Sequence, residues 1–295
     1  MVDIDTDLVR ALVHEQFPRW RDLPVEPVRR QGSDNRTFRL GSELSVRLPS
    51  AEGYVAGVAK EDRWLPVLAS WLPLPVPTVV ATGRPGSGYP HPWSVRRWLP
   101  GDTIAGVVDR RQLAQDLGRF LARLRQAPTE QAPVGGRHSF YRGCHPSAYG
   151  DEVQRLLATL GADVDGDACR RIWADAMVSA WPSAPAWFHG DVAEGNLLAV
   201  DGVLSAVIDF GTCGVGDPAC DLVIAWTYLC GDERAVFRDA VGLDDDTWAR
   251  GRGWALWKAL IMAAQSPDPV QRGILLEILR DPVVPRRPNA VAWSS

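Results

Sequence analysis

A chain of 295 residues with 46% hydrophobic and 23% charged side chains can bury a substantial core in one or two domains, and its balance is that of an ordinary globular protein. No stretch approaches the roughly 20 apolar residues of a membrane span. The five cysteines include no Cys-x-x-Cys pair, which argues against a disulfide framework or zinc site and for a reducing, cytoplasmic location.

The net charge of −4 is unevenly spread: residues 1–150 carry 20 basic and 15 acidic side chains, residues 151–295 carry 12 and 21. A basic half and an acidic half suit an anionic ligand meeting a cationic one. The plainer explanation is that most of the acids are solvated surface. No basic stripe with interleaved aromatics is present, so nucleic acid is not an expected partner.

Ile4, Leu8, Leu12 and Val13 have helical spacing, so the N-terminus reads as an amphipathic helix and not as a signal peptide. Residues 25–32, 35–40 and 44–48 then read as a three-strand meander with Gly41-Ser42 as its second turn. In 53–65, Tyr54, Val58, Glu61 and Leu65 share a helix face, and Pro66, Pro73, Pro75 and Pro77 interrupt regular structure after it. Residues 78–82 and 93–98 are two more strands, giving a five-stranded N-terminal lobe over 1–98. Leu99-Pro100-Gly101-Asp102 reads as a linker.

From 99 to 295 the pattern is mainly helical. Leu113, Leu117, Phe120, Leu121 and Leu124 form a stripe behind Asp109 and Gln112, which resemble a capping box. Residues 126–146 are a Gly-, Pro- and His-rich loop. Helices are predicted over 148–160, 167–180, 219–230, 233–241, 247–265 and 270–279, and a loosely held tail over 282–295. An Asp201-Gly202 turn joins two strands near the middle.

The informative spacing is His189-Gly190-Asp191, then Asn196 five residues after the Asp, then Asp209-Phe210-Gly211 thirteen further on. Apolar runs lead into both motifs, so each sits at a strand end. This order reads as a phosphoryl-transfer site: Asp191 as the base for an acceptor hydroxyl, Asn196 and Asp209 as hard oxygen ligands for Mg²⁺. His189 reads as a loop support. Asp221, after Gly216-Asp217-Pro218, reads as a support of the same loop.

The phosphate side is less marked. A cation is needed on the third strand; the chain's two lysines, Lys60 and Lys258, are on no predicted strand of the N-terminal lobe, whereas Arg47 is. Glu61 is its predicted partner, and Lys60 the fallback phosphate contact. Ser33, Asp34 and Asn35 occupy the turn where a phosphate-covering loop belongs. Arg97, Trp98 and Leu99 fall where a hinge would meet a purine. His138 and His145 read as loop surface. Trp248, Trp254 and Trp257 read as core, with a wall of the acceptor pocket as the alternative.

These motifs, together with Val46-Arg47-Leu48-Pro49, Glu61-Asp62-Arg63-Trp64-Leu65-Pro66 and Leu74-Pro75-Val76-Pro77, make the chain resemble the aminoglycoside phosphotransferase family over about 25–280. The resemblance implies an α+β, protein-kinase-like two-lobe fold: a small five-stranded antiparallel N-lobe and a larger, mainly helical C-lobe. It implies transfer of the γ-phosphate of ATP or GTP, with Mg²⁺, to a hydroxyl of an antibiotic, serving resistance or self-protection in a monomer or weak dimer. An aminoglycoside is the default acceptor because an acidic C-lobe would welcome amines. A metabolite kinase and a nucleotide-binding pseudokinase scaffold are the alternatives. The departure from the family pattern is Arg47 where a lysine is usual.

Overall fold

The computed structural model describes residues 3–32, 34–266 and 268–281. Helix α1 (Thr6–Gln16) is capped by Asp5, whose side chain accepts from the Leu8 amide at 2.8 Å, and it buries Val9, Leu12 and Val13 against the sheet. Strands β1 (Val25–Pro27), β2 (Asn35–Leu40), β3 (Leu44–Pro49), β4 (Val79–Gly83) and β5 (Trp93–Arg97) form one antiparallel sheet in the order β1-β2-β3-β5-β4.

β1 is shorter than the predicted 25–32. The Gln31 carboxamide pairs with both backbone groups of Thr37, at 2.9 and 2.8 Å, and takes the place that a continuing strand would fill. Helix α2 (Val55–Ala69) is longer than predicted, since it runs through Pro66. An internal proline costs about 3 kcal/mol. Burial of Trp64, Leu65 and Leu68, at about 1.5–3 kcal/mol each, outweighs that. These three side chains join the core of the larger lobe, where Trp64 meets Trp187 edge-on at 5.3 Å; the sheet has a separate core of its own.

The larger lobe holds β6 (Asp102–Thr103), α3 (Arg110–Leu124), α4 (Gly150–Leu160), α5 (Gly166–Ala176), β7 (Ala186–Phe188), β8 (Leu197–Val200), β9 (Val203–Val207), β10 (Gly214–Gly216), α6 (Ile224–Thr227), α7 (Gly231–Val241), α8 (Asp245–Gln265) and α9 (Pro269–Arg280). Asp109 caps α3 through the Gln112 amide, but the Gln112 side chain goes to Asp116, so only half of the capping box forms. The single helix predicted over 219–230 is a tight 3₁₀ stretch, Pro218–Val223, followed by the one-turn α6. Asp217 caps the stretch at the Ala219 amide, and Asp221 is drawn inward to the His189 loop. The predicted tail at 282–295 lies outside the described residues.

Two short ladders place the motifs. β7 pairs with β10, and β8 pairs with β9 and β6. Asp201 and Gly202, both at positive φ, turn β8 into β9 as a two-residue hairpin.

Candidate active site

β7 delivers His189, Gly190 and Asp191 into a loop fixed at each step. The His189 ring reaches the Ile208 carbonyl through Nε2 at 3.0 Å and receives the Asp191 amide on Nδ1 at 3.2 Å. These partners assign the neutral Nε2–H tautomer and occupy both nitrogens, so the ring supports the loop and has no nitrogen left to act as a base. Asp221 accepts the His189 and Gly190 amides at 2.8 and 2.7 Å. Burial pushes its pKa up, against the pull of those hydrogen bonds. Gly190 has φ +89°, and a Cβ there would stand 2.8 Å from Thr212 Oγ1, so the small middle residue of His-Gly-Asp is sterically required.

Asn196 Nδ2 donates to the Asp191 backbone oxygen and to Asp191 Oδ2, both at 2.9 Å. The Ile208 amide donates to the Asn196 carbonyl at 2.9 Å, which ties the first motif to the second. Asp209 follows with φ +68°, a left-handed conformation that a non-glycine residue holds only when its surroundings impose it. Asp191, Asn196 and Asp209 are therefore brought together. An amide oxygen and a carboxylate on one wall fit a divalent cation that takes its other ligands from phosphates and water. Among the described residues no group of three or more His, Cys, Asp or Glu could hold a metal alone.

Asn196 and Asp209 line a cleft of about 1510 Å³ between the sheet and the larger lobe. Its walls carry Arg29, Arg30, Arg39, Arg47, Arg96 and Arg97 against the carboxylates Glu26, Asp102 and Asp209, a surplus of positive charge that suits a polyphosphate. Arg47 lies at the centre. Its Nη1 contacts Glu61 Oε1 at 3.1 Å, its Nη2 contacts Asp209 Oδ1, and Asn35, with its amide oxygen turned inward, accepts from Nε and Nη2 at 3.2 and 2.8 Å. Burial works against the charge on Arg47, but Asp209 and Glu61 more than reverse it and raise the pKa.

Glu61 is 3% exposed and has a second partner that the sequence pattern does not reveal. Arg96, on β5, grips it with two nitrogens at 3.1 and 2.7 Å. Burial opposes ionisation of Glu61, yet Arg47 and Arg96 pull its pKa down to about 2. The signal available was an arginine directly after Trp93-Ser94-Val95, at a buried strand position.

Other predicted residues land less simply. Ser33 lies outside the described residues. The Asp34 carbonyl receives Ser50 through its amide and hydroxyl at 2.9 and 3.0 Å, so this residue braces the turn. The amides of Arg97 and Trp98 donate to the Thr78 and Glu43 carbonyls, at 2.9 Å each, and both residues line the cleft with Leu99. The Trp98 ring lies under Arg39.

Lys60 is not at the phosphates. Its Nζ points at His138 Nδ1 and the His138 carbonyl, at 3.0 and 3.2 Å, where it fastens α2 to the 126–146 loop. His145 is held by Ser147 and Ser179. Trp248, Trp254 and Trp257 are buried.

A family model for a phosphotransferase enzyme family matches residues 25–254, more than half of the chain. This chain belongs to the phosphotransferase enzyme family. No curated protein matches it. Solved structures with the same fold include the GDP and kanamycin complex of the aminoglycoside enzyme APH(2″)-IIIa, at 19% identity and a TM-score of 0.69 over 91% of this chain and 96% of that one. Another is the macrolide 2′-phosphotransferase MphH of Brachybacterium faecium, at 22% and 0.61 over 94% and 98%. A third is the streptomycin–ATP complex of APH(2″)-IIa, at 16% and 0.58 over 94% and 97%. At such identities the likeness establishes the α+β, protein-kinase-like fold of this phosphotransferase.

The phosphotransferase also has a feature that the motifs did not announce. Lys258, on α8, places Nζ 3.4 Å from Asp191 Oδ1. Burial alone would raise the Asp191 pKa, but Lys258 foremost, then His189 and Arg142, hold the carboxyl below its usual range. The acidic surroundings expected for the acceptor are thus not those found beside Asp191. The available hint was rarity: Lys258 is one of two lysines among 32 basic residues.

Proposed function

We propose that this phosphotransferase moves the γ-phosphate of ATP or GTP to a hydroxyl of a small molecule, an antibiotic being the leading class, and that resistance or self-protection follows from the added charge and bulk. The observation that carries the proposal is the meeting of Asp191, Asn196 and Asp209 beside an arginine-lined cleft. Support for the antibiotic class comes from the bound kanamycin and streptomycin of two fold relatives and the macrolide named for a third.

In this reading Asp191 receives the acceptor's hydroxyl proton as that oxygen bonds to the γ-phosphorus. The bond from phosphorus to the β-γ bridging oxygen breaks, and the nucleoside diphosphate leaves with the electron pair. Asn196 orients Asp191 through the amide contact to Oδ2. Magnesium, held by Asn196 and Asp209, would offset the charge on the phosphates. Arg47, in contact with Asp209, would face the same charge, and Glu61, itself gripped by Arg96, holds it in place.

The test is a screen of hydroxyl-bearing antibiotics with each nucleotide, read by the gain of one phosphate in mass. A single phosphorylated product that depends on nucleotide is the expected result. Nucleotide binding without turnover on any alcohol or water would favour the scaffold reading, which draws on the direct contact of Arg47 with Asp209.

A further inference from the structure

The surroundings of Asp191 constrain what can approach it. Asp191 is 41% exposed and Lys258 36%, so both reach the space that an acceptor hydroxyl must enter. Lys258 is also the cation that α8 has left for this site: Arg250 is buried on Asp217, and Arg252 is bound to the Ile278 and Asp281 carbonyls. From Thr247 to Gln265 the helix carries no carboxylate.

Arg142 also favours the charged form of Asp191. Its guanidinium lies 4.7 Å from the Trp257 ring, and Trp257 stacks on Tyr149 at 4.2 Å and 28°. The next residue, Gly143, packs so closely on Phe188 of β7 that a Cβ would sit 1.9 Å from that ring, which fixes Arg142 beside the catalytic strand. Phe140 and Tyr141, 37% and 42% exposed, stand just before it. Residues 131–149 contain no carboxylate. Of the acids that begin α4, Glu152 is turned to the Trp257 indole at 2.7 Å.

We propose that the acceptor is a hydroxyl compound without clustered protonated amines, neutral or anionic and with a flat apolar face, and that Lys258 and Arg142 set this selectivity. The inference rests on the phosphotransfer reading and deepens it. A polyamine brought to Asp191 would place like charges against two cations, with no carboxylate on α8 beyond its first turn or on 131–149 to compensate. The neutral ring face of an acceptor would instead meet Phe140 and Tyr141.

Titration calorimetry of the full chain with kanamycin tests this, using the wild type, Lys258→Glu and Lys258→Met, each first shown to be folded by circular dichroism. Kanamycin is expected to bind Lys258→Glu at least tenfold, and Lys258→Met at least threefold, more tightly than wild type. Wild type is expected to phosphorylate uncharged chloramphenicol with a higher kcat/KM than kanamycin. Kanamycin affinity that is unchanged or weakened in whichever variant folds overturns the proposal, as does efficient phosphorylation of kanamycin by wild type. Nucleotide turnover on any alcohol or water is recorded in the same samples. Its complete absence would defeat the phosphotransfer reading, while the kanamycin comparison still scores the charge at the site.

Discussion

Arg47 and Asp209 are in direct contact, Nη2 against Oδ1, although 162 positions separate them. The carboxylate suited to a divalent cation is therefore already neutralised by the strand cation. A planar fork suits this: Arg47 serves Glu61, Asp209 and Asn35 from three separate nitrogens, whereas a lysine would have to draw all three acceptors to one. Arg47→Ala is expected to lower kcat/KM for ATP and GTP at least tenfold, a loss of about 1.4 kcal/mol or more. Kinetics at varied magnesium check it, and unchanged constants for both nucleotides would remove Arg47 from the site.

Asp191→Asn keeps the side-chain shape and the contact from Asn196 Nδ2 but accepts no proton. Turnover should fall by about 10²- to 10⁴-fold while nucleotide affinity persists. Near-normal acceptor phosphorylation by this variant would show that the base lies elsewhere.

Lys258 holds the Asp191 pKa down, so Asp191 is ionised across neutral pH and its acid limb lies below the ordinary carboxylate range. In Lys258→Met that restraint is gone while burial still acts, and the limb should move to higher pH. The pH dependence of kcat/KM for wild type and variant measures the shift. A limb that stays put would mean that Lys258 does not act on the base.

Glu61 has its pKa depressed to about 2 from an ordinary 4.5. Such a group stabilises the fold above its unfolded pKa, and the contribution is lost as pH falls through the folded one, here between about 4.5 and 2. At about 1.4 kcal/mol per unit this comes to about 3 kcal/mol. Urea unfolding across that window should show the loss in wild type and a much flatter profile in Glu61→Gln, whose stability at pH 7 should also be lower because Arg47 and Arg96 lose their counter-charge. Parallel profiles would remove Glu61 as the source.

The fold and the convergence of Asp191, Asn196 and Asp209 were legible because each leaves a local trace. The Gly41-Ser42 turn marked β2 and β3, and the interval from Asp191 through Asn196 to Asp209 is fixed by two strand ends and a two-residue turn. Arg47 and Glu61 were legible because a strand cation calls for a helix anion. Arg96, Lys258 and Arg142 were not, because their meaning arises only when β5, α8 and the 126–146 loop fold onto residues far away in sequence. Lys60 misled because its neighbour Glu61 points into the sheet while Lys60, one residue before it on the helix, turns to His138. Strand and helix ends failed where a side chain replaced backbone, as with Gln31, or where burial overrode a proline, as at Pro66.

With Trp64, Leu65 and Leu68 sunk in the larger core, α2 is anchored on that lobe by its apolar face. Glu61, reached by guanidinium groups from β3 and β5, ties the same helix to the sheet through charge. One helix thus belongs to both halves of the molecule, by oil on one side and by ions on the other.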